Sequence, residues 1–180
     1  VKDLADFTVT VVGLGLMGGS LAGALRGRCQ CVIGVDRDAA TLEAALSRGF
    51  VDVAQPDLDV ALPNSDIVVL ATPVRTIVQL LGEIGPQLRP GTLLMDLGST
   101  KKLVLEAMAE LPRHVDVLGG HPMCGKEISG IEAAETSLFE GRTFILSPLA
   151  RTSEAALALG RTLVRAVGAK PLVIDGARQD

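Results

Sequence analysis

The 180-residue sequence contains no tryptophan and no tyrosine, and only four phenylalanines. Proteins that bind nucleic acid by base stacking need aromatic side chains, and this chain has too few of them. Acidic residues (21) outnumber lysine and arginine (17), the net charge is −4, and no basic block stands out. We therefore expect no nucleic-acid partner.

Long hydrophobic runs and targeting signals are also lacking. No apolar run reaches the about 18 residues that a membrane-spanning helix requires. The first residues, V-K-D-L-A-D, do not have the layout of a signal peptide. The three cysteines are not spaced as metal ligands, so no metal site is predicted. These absences favour a cytoplasmic enzyme without a membrane partner.

The chain is instead rich in aliphatic residues, and its hydrophobic fraction of 48% is enough to bury a core. Short apolar runs alternate with helical stretches, a pattern typical of parallel βαβ units. It predicts an α/β protein with a Rossmann-type, doubly wound, mostly parallel sheet and helices on both faces. Because no linker or repeat interrupts the pattern, we expect one domain over residues 1–180.

The individual elements follow from the same alternation. Strands are predicted at residues 8–12, 31–36, 66–71, 93–96, 115–119, 142–146 and 171–174, with a short one at 51–53. Helices are predicted at residues 17–26, 39–48, 74–84, 101–110, 131–137 and 153–167.

A G-x-G-x-x-G pattern, here called the glycine turn (residues 13–18), follows the first predicted strand. Gly13 allows a tight turn, Gly15 lets the backbone approach a pyrophosphate, and Gly18 lets the helix pack close to the strand. The pyrophosphate would lie at the positive end of that helix, beside Leu16 and Met17. This strand-to-helix context predicts a dinucleotide site, with a glycine-rich turn that binds nothing as the alternative.

An acidic residue, Asp36, ends the second predicted strand 18 residues after Gly18. Its carboxylate is suited to accept hydrogen bonds from the ribose 2′-OH of NAD and to repel the extra phosphate of NADP. Arg37 follows directly and acts in the opposite sense, because a guanidinium pairs with phosphate. The sequence favours NAD as cofactor and leaves NADP possible.

Thr72 and Pro73 end the next long apolar strand. Ligands of doubly wound sheets bind at the carboxyl ends of the strands, so both residues are candidates for cofactor contact. A Thr-Pro pair is also common in turns that bind nothing, and this alternative stays open.

Two further segments follow strand ends, D-L-G-S-T-K at 96–101 and G-G-H-P-M-C-G-K-E at 119–127. Ser99 is near a helix start, where it is either functional or an N-cap. Glycine and proline around His121 predict a shaped loop, and a histidine there is a candidate general base. His114 is interpreted as solvated surface, and Cys124 as a packing residue rather than a nucleophile.

Five motifs, in order, resemble the prephenate dehydrogenase family, which includes arogenate and cyclohexadienyl dehydrogenases: G-L-G-L-M-G-G-S, V-D-R, A-T-P-V, D-L-G-S-T-K and G-G-H-P-M-C-G-K-E-I-S-G. The likeness covers essentially all 180 residues, and the last two motifs are the most specific. It implies NAD(P)-dependent oxidation of prephenate to 4-hydroxyphenylpyruvate with loss of carbon dioxide, a step of tyrosine biosynthesis.

The resemblance also implies roles for single residues. The family's catalytic histidine falls on His121, which would take the proton of the ring hydroxyl as hydride leaves. The family's serine falls on Ser99, which would orient that histidine and the nicotinamide. Glu127 matches an acidic position near the substrate, and Lys126 replaces a common small hydroxyl residue. We hypothesise that Lys126 meets a substrate carboxylate or tunes the preference between prephenate and arogenate.

The family continues into a helical dimerisation domain, which also carries the arginine that clamps the substrate carboxylate. This chain starts without methionine and stops at Asp180, where that domain would begin. We therefore expect the nucleotide-binding domain of a longer enzyme that is a homodimer only with the further domain.

Two other functions remain open. One is a β-hydroxyacid dehydrogenase, which uses a lysine from a helical domain instead of His121. The other is a module that senses NAD and catalyses nothing.

Overall fold

The computed structural model describes residues 3–178, which fold around an eight-stranded sheet. The strands are β1 (Thr8–Val12), β2 (Cys31–Val35), β3 (Val53–Gln55), β4 (Ile67–Leu70), β5 (Leu93–Asp96), β6 (Asp116–Pro122), β7 (Thr143–Pro148) and β8 (Lys170–Val173). They lie side by side in the order β3-β2-β1-β4-β5-β6-β7-β8. The order of the strands along the sheet reverses between β1 and β4. This position is the topological switch point at which such sheets bind their ligands.

Six α-helices connect these strands within the described residues. They are α1 (Leu16–Leu25), α2 (Ala39–Ser47), α3 (Leu58–Ala61), α4 (Val74–Ile84), α5 (Lys102–Ala109) and α6 (Glu154–Ala166). None of the helices within residues 3–178 is long and apolar enough to cross a bilayer.

Helices cover both faces of the sheet, and a separate apolar core lies on each face. Side chains of α1, α2 and α6 pack in one core, and those of α3, α4 and α5 in the other. The pattern of α4 shows why: Ile77, Leu80, Leu81 and Ile84 follow the i, i+3, i+4, i+7 spacing of one helix face and are buried. The central strands β4 and β5 are buried on both faces, which explains their unbroken apolar runs. The predicted doubly wound α/β fold is confirmed.

The direction of pairing changes once along the sheet. Neighbouring strands are parallel except β6 and β7, which are antiparallel. The segment between these two strands contains a single 3₁₀ turn, Ile131–Ala133, instead of a crossover helix. Without a crossover helix to bring the chain back to the start of β6, β7 runs beside β6 in the opposite direction. The helix predicted at residues 131–137 was therefore wrong.

Other differences concern element ends. The short strand predicted at residues 51–53 lies at Val53–Gln55, and the one-turn helix α3 was not predicted. The strand predicted to end at residue 119 continues to Pro122. This last difference places His121 inside regular structure.

Candidate active site

The glycine turn connects β1 to α1 at the carboxyl edge of the sheet. Gly13 has a φ of 89°, in the region that favours glycine, and a Cβ there would lie 2.9 Å from Cγ2 of Thr72. A Cβ on Gly18 would lie 1.7 Å from the carbonyl oxygen of Gly13. These two glycines allow the turn and the close contact between helix and strand, as predicted.

Gly15 differs from its neighbours because a Cβ there would meet nothing within 4 Å. It is the N-cap residue of α1, with Leu16 and Met17 half-buried in the first turn. The backbone N–H groups of a helix start attract anions, and Gly15 offers no side chain to accept from them. The space above Gly15 suits a pyrophosphate.

Asp36 follows β2 and holds the glycine turn in place. Its Oδ2 accepts a hydrogen bond from the N–H of Leu14 at 2.9 Å, and its Oδ1 accepts one from the N–H of Asp38 at 2.9 Å. Asp36 is half-buried, whereas Arg37 is exposed. The carboxylate is therefore fixed beside the turn, and the Arg37 side chain lies in solvent.

A cleft of about 460 Å³ opens between the ends of β1, β2 and β4. Five predicted cofactor residues line it: Gly13, Asp36, Arg37, Thr72 and Pro73. The hydroxyl of Thr72 is buried there and has no hydrogen-bond partner among residues 3–178. A buried polar atom without a partner is unfavourable, so a polar ligand in this cleft would satisfy it. The orphan hydroxyl, the open Gly15 and the helix start all fit a dinucleotide.

Ser99 follows β5 at the same edge of the sheet and is exposed. The N-cap residue of α5 is Lys101, so the interpretation of Ser99 as an N-cap was wrong. Between β5 and α5 the chain turns at Gly98 back toward Asp96. The N–H of Gly98 donates to Oδ2 of Asp96 at 2.8 Å.

A buried ion pair joins Asp96 and Lys101, the residues at the two ends of the segment that contains Ser99. Both side chains have 0% exposure, and the Lys101 ammonium contacts Oδ2 of Asp96. The N–H of Gly120 donates to Oδ1 of Asp96 at 3.0 Å. Burial raises the pKa of the Asp96 carboxyl above its ordinary value, while Lys101 and the two backbone N–H groups oppose that shift.

His121 lies on β6, where it pairs with Ile145 of β7 and is half-buried. The prediction of a shaped loop directly after residue 119 was wrong, because residues 120–122 belong to the strand. Pro122 is tolerated since the β5–β6 pairing ends at Leu118, and its nitrogen faces the side without a partner strand. His121 is thus carried by a strand at the edge where the cleft opens.

Lys126 and Glu127 lie in the exposed segment after β6. The Lys126 ammonium is 3.1 Å from Oε1 of Glu135 and donates to the carbonyl of Ala133 at 3.0 Å. In this structure Lys126 therefore fastens its segment to the 3₁₀ turn. Glu127 is exposed, and its predicted contact with substrate stays a prediction.

Cys124 and His114 have the surroundings that the sequence predicted for them, a packing position and a surface position. Cys124 packs against the apolar core, and burial raises the pKa of its thiol, which suits a packing residue. His114 is exposed, with its ring Nε2 2.9 Å from the carbonyl oxygen of Leu88.

Asp96 and Lys101 were not identified as site residues from the sequence. Charged side chains are seldom fully buried, so the default expectation placed both in solvent. The available signal was an acidic residue that closes an otherwise apolar strand, L-L-M-D, followed by a lysine at the helix start.

The fold and the cleft together define a dinucleotide-binding domain of the kind found in dehydrogenases. Residues 21–173 match the sequence model of the prephenate dehydrogenase nucleotide-binding domain, and the chain belongs to that family. It is 33% identical over 166 residues to prephenate dehydrogenase from Bacillus subtilis, covering 90% of this chain and 45% of that protein.

Solved structures of arogenate and prephenate dehydrogenases are also similar to this chain. Arogenate dehydrogenase from Synechocystis superposes with a TM-score of 0.89 at 36% identity, over 96% of this chain and 61% of that one. Prephenate dehydrogenase from Aquifex aeolicus, in complex with hydroxyphenyl propionate and NAD+, has a TM-score of 0.90 at 30% identity, over 99% and 63%. The chain thus spans about half the length of the curated relatives it matches.

Proposed function

We propose that this chain is the NAD-binding part of an enzyme that oxidises and decarboxylates prephenate to 4-hydroxyphenylpyruvate in tyrosine biosynthesis. The observation that carries the proposal is the position of His121 at the sheet edge that also carries the cofactor cleft. The Aquifex relative in complex with NAD+ and hydroxyphenyl propionate supports it. Arogenate is the alternative substrate.

Bound NAD supplies the hydride acceptor. The His121 ring accepts the proton of the substrate hydroxyl while the hydride leaves the same carbon, which becomes a ketone carbon. Ser99 orients the His121 ring and the nicotinamide end of the cofactor. The bond to the substrate carboxylate then breaks, and carbon dioxide leaves. The bonding electrons pass through the ring to the ketone oxygen, which takes back a proton, and the aromatic ring that forms drives the reaction forward.

Asp36 supports NAD over NADP in this proposal. Its carboxylate is held beside the glycine turn by two backbone N–H groups, within reach of a ribose that occupies the cleft. A fixed negative charge there disfavours a 2′-phosphate. Arg37, in solvent at the rim, is the residue through which NADP would be accommodated.

The complete enzyme is proposed to need more than these residues. A helical domain would supply the arginine for the substrate carboxylate and the contacts of a homodimer. A cytoplasmic location, where prephenate would be available, belongs to the same proposal.

The test is NADH formation by the full-length protein with NAD and either prephenate or arogenate. We expect turnover with one of them, a loss of about 10²-fold or more in His121→Asn, and little change in His114→Asn. His114→Asn is the matched control, because His114 is exposed and precedes β6, at the opposite end of that strand from His121. In the wild type, kcat/KM should fall at low pH as the His121 ring becomes protonated.

Three outcomes would contradict the proposal. No turnover in a protein that binds NAD would favour an NAD-sensing module. Turnover that His121→Asn leaves intact would favour a hydroxyacid dehydrogenase with a different base. A flat pH profile through the histidine range would also count against His121.

A further inference from the structure

The ion pair of Asp96 and Lys101 lies where β5 ends and α5 begins, with both side chains fully buried. Buried charges are tolerated only when they are paired and hydrogen-bonded, and replacing them by apolar groups is often neutral or stabilising. Stability alone therefore does not explain an ion pair at this position. The hydrogen bonds that the Asp96 carboxylate accepts indicate a role in positioning the site.

Each carboxylate oxygen of Asp96 holds a different segment of the site. Oδ2 accepts from the N–H of Gly98 at 2.8 Å, and Oδ1 accepts from the N–H of Gly120 at 3.0 Å. Gly98 directly precedes Ser99, and Gly120 directly precedes His121. One carboxylate thus connects the backbone next to both predicted catalytic side chains.

The packing around this carboxylate leaves little freedom. A Cβ on Gly120 would lie 2.4 Å from the backbone oxygen of Asp96, and a Cβ on Gly98 would lie 2.9 Å from its Oδ2. Glycine at both positions lets the two segments approach Asp96 closely. The Gly120 segment thus packs against the backbone of Asp96, and the Gly98 segment packs against its carboxylate.

We propose that Asp96 and Lys101 are positioning residues that set the Ser99 segment relative to the His121 strand. The proposal rests on the proposed function for its catalytic consequence, since it assigns Ser99 and His121 to one reaction. Lys101 acts through Asp96 by keeping its carboxyl group ionised.

The need for the ammonium follows from hydrogen-bond chemistry. An ionised carboxylate accepts on both oxygens, whereas a protonated one carries a donor on one of them. Burial raises the pKa of Asp96, and Lys101 is the first of the groups that oppose this. Without Lys101, Asp96 would take up a proton and release the N–H of Gly98 or Gly120. The segment released would shift, and a misplacement of about 1 Å lowers a rate about 10²-fold.

The test uses the full-length protein and four variants: Lys101→Met, Asp96→Asn, the double variant, and Lys102→Met. Lys102→Met is the matched control, because Lys102 is the exposed lysine directly after Lys101. We expect Lys101→Met and Asp96→Asn each to lower kcat about 10²-fold while NAD affinity changes less than about threefold. The double variant should lose about as much as either single one, because the pair acts as a unit. Lys102→Met should resemble the wild type.

A second measurement follows the His121 ring directly by ¹H–¹⁵N NMR of histidine-labelled protein. The His121 signals are assigned by their loss in His121→Asn. We expect them to shift in Lys101→Met and in the double variant, and to stay unchanged in Lys102→Met. The His114 signals should stay in place throughout.

The two measurements separate this proposal from the proposed function. If the wild type turns over neither prephenate nor arogenate, the proposed function fails, and the His121 signals alone decide whether Asp96 and Lys101 position that strand. A folded Lys101→Met protein with normal kcat and unmoved His121 signals overturns the positioning role. If Lys101→Met does not fold, the uncharged double variant decides by the same criteria.

If neither variant folds, hydrogen exchange in the wild type decides. The N–H groups of Gly98 and Gly120 should be protected, because both are bonded to a buried carboxylate. Exchange of either as fast as that of Gly125, which is exposed and lies outside the helices and strands, would overturn the proposal.

Discussion

The carboxylate of Asp36 accepts a hydrogen bond from the backbone N–H of Leu14 at 2.9 Å, joining the end of β2 to the glycine turn. Leu14 is fully buried, so this N–H has no access to solvent. The residue proposed to bind the ribose therefore also fixes the turn on which the pyrophosphate would lie. We therefore expect substitutions of Asp36 to change both the stability of the turn and the affinity for the cofactor.

The two roles of Asp36 can be separated by substitution. Asp36→Asn retains an oxygen for the Leu14 N–H but loses the charge, so NAD affinity should fall about 10-fold while NADP affinity rises. Asp36→Ala also leaves the buried N–H without an acceptor, which should lower the free energy of unfolding by about 1–3 kcal/mol. Titration calorimetry with both cofactors and thermal unfolding measure these changes.

The control for this prediction is Arg37→Ala in the Asp36→Asn background. It should abolish the gain for NADP, because the exposed guanidinium is the group that would pair with a 2′-phosphate. Unchanged NAD affinity in Asp36→Asn would mean that Asp36 braces the turn and does not contact the ribose.

The buried hydroxyl of Thr72 predicts opposite effects on stability and binding. Thr72→Val keeps the shape and removes a polar atom that lacks a partner within residues 3–178, so the cofactor-free protein should gain about 1 kcal/mol of stability. If the cofactor bonds this hydroxyl, NAD affinity should fall about 3- to 10-fold in the same variant. Thermal unfolding with and without NAD measures both. A variant that is less stable without cofactor would contradict the prediction.

The sheet and the glycine turn were predictable from the sequence because they depend on local signals. Apolar runs define the central strands, and two glycines of the turn, Gly13 and Gly18, stand where the structure leaves no room for a side chain. Asp36, the acidic residue after β2, follows Gly18 by 18 residues, close to the spacing typical of dinucleotide-binding sites. Five predicted cofactor residues line the same cleft for this reason.

The segments that carry Ser99 and His121 were predicted less accurately, because their geometry depends on tertiary contacts. Glycine and proline around His121 are typical of a loop, but β7 pairs with this segment and makes it a strand. Nothing local indicates that Asp96 and Lys101 are buried, since their pairing joins a strand end to a helix start. Glycines at Gly98 and Gly120 are required by close approach to Asp96, which sequence alone does not show.

The contacts of Lys126 make the substrate hypothesis testable. Its ammonium is held by Glu135 and by the Ala133 carbonyl. If Lys126 meets a substrate carboxylate, Lys126→Thr should raise KM about 10-fold for the preferred substrate. Glu135→Gln, which releases the ammonium, should leave KM unchanged or lower it. Steady-state kinetics with prephenate and arogenate measure both. If Lys126→Thr changes neither KM, the lysine only fastens its segment to the 3₁₀ turn.

The glycine turn offers a matched pair of substitutions that separates ligand approach from folding. Gly15 has an ordinary φ of −74°, and a Cβ there meets nothing within 4 Å, so Gly15→Ala should fold as well as the wild type. If a pyrophosphate occupies the space above Gly15, the added methyl group should nonetheless weaken NAD binding about 10-fold or more. Gly18→Ala should instead destabilise the protein by more than about 3 kcal/mol, because its Cβ would lie 1.7 Å from the Gly13 carbonyl oxygen. Thermal unfolding and NAD titration of both variants measure this contrast. Normal NAD affinity in a folded Gly15→Ala protein would place the pyrophosphate elsewhere and remove the main support for the cofactor site.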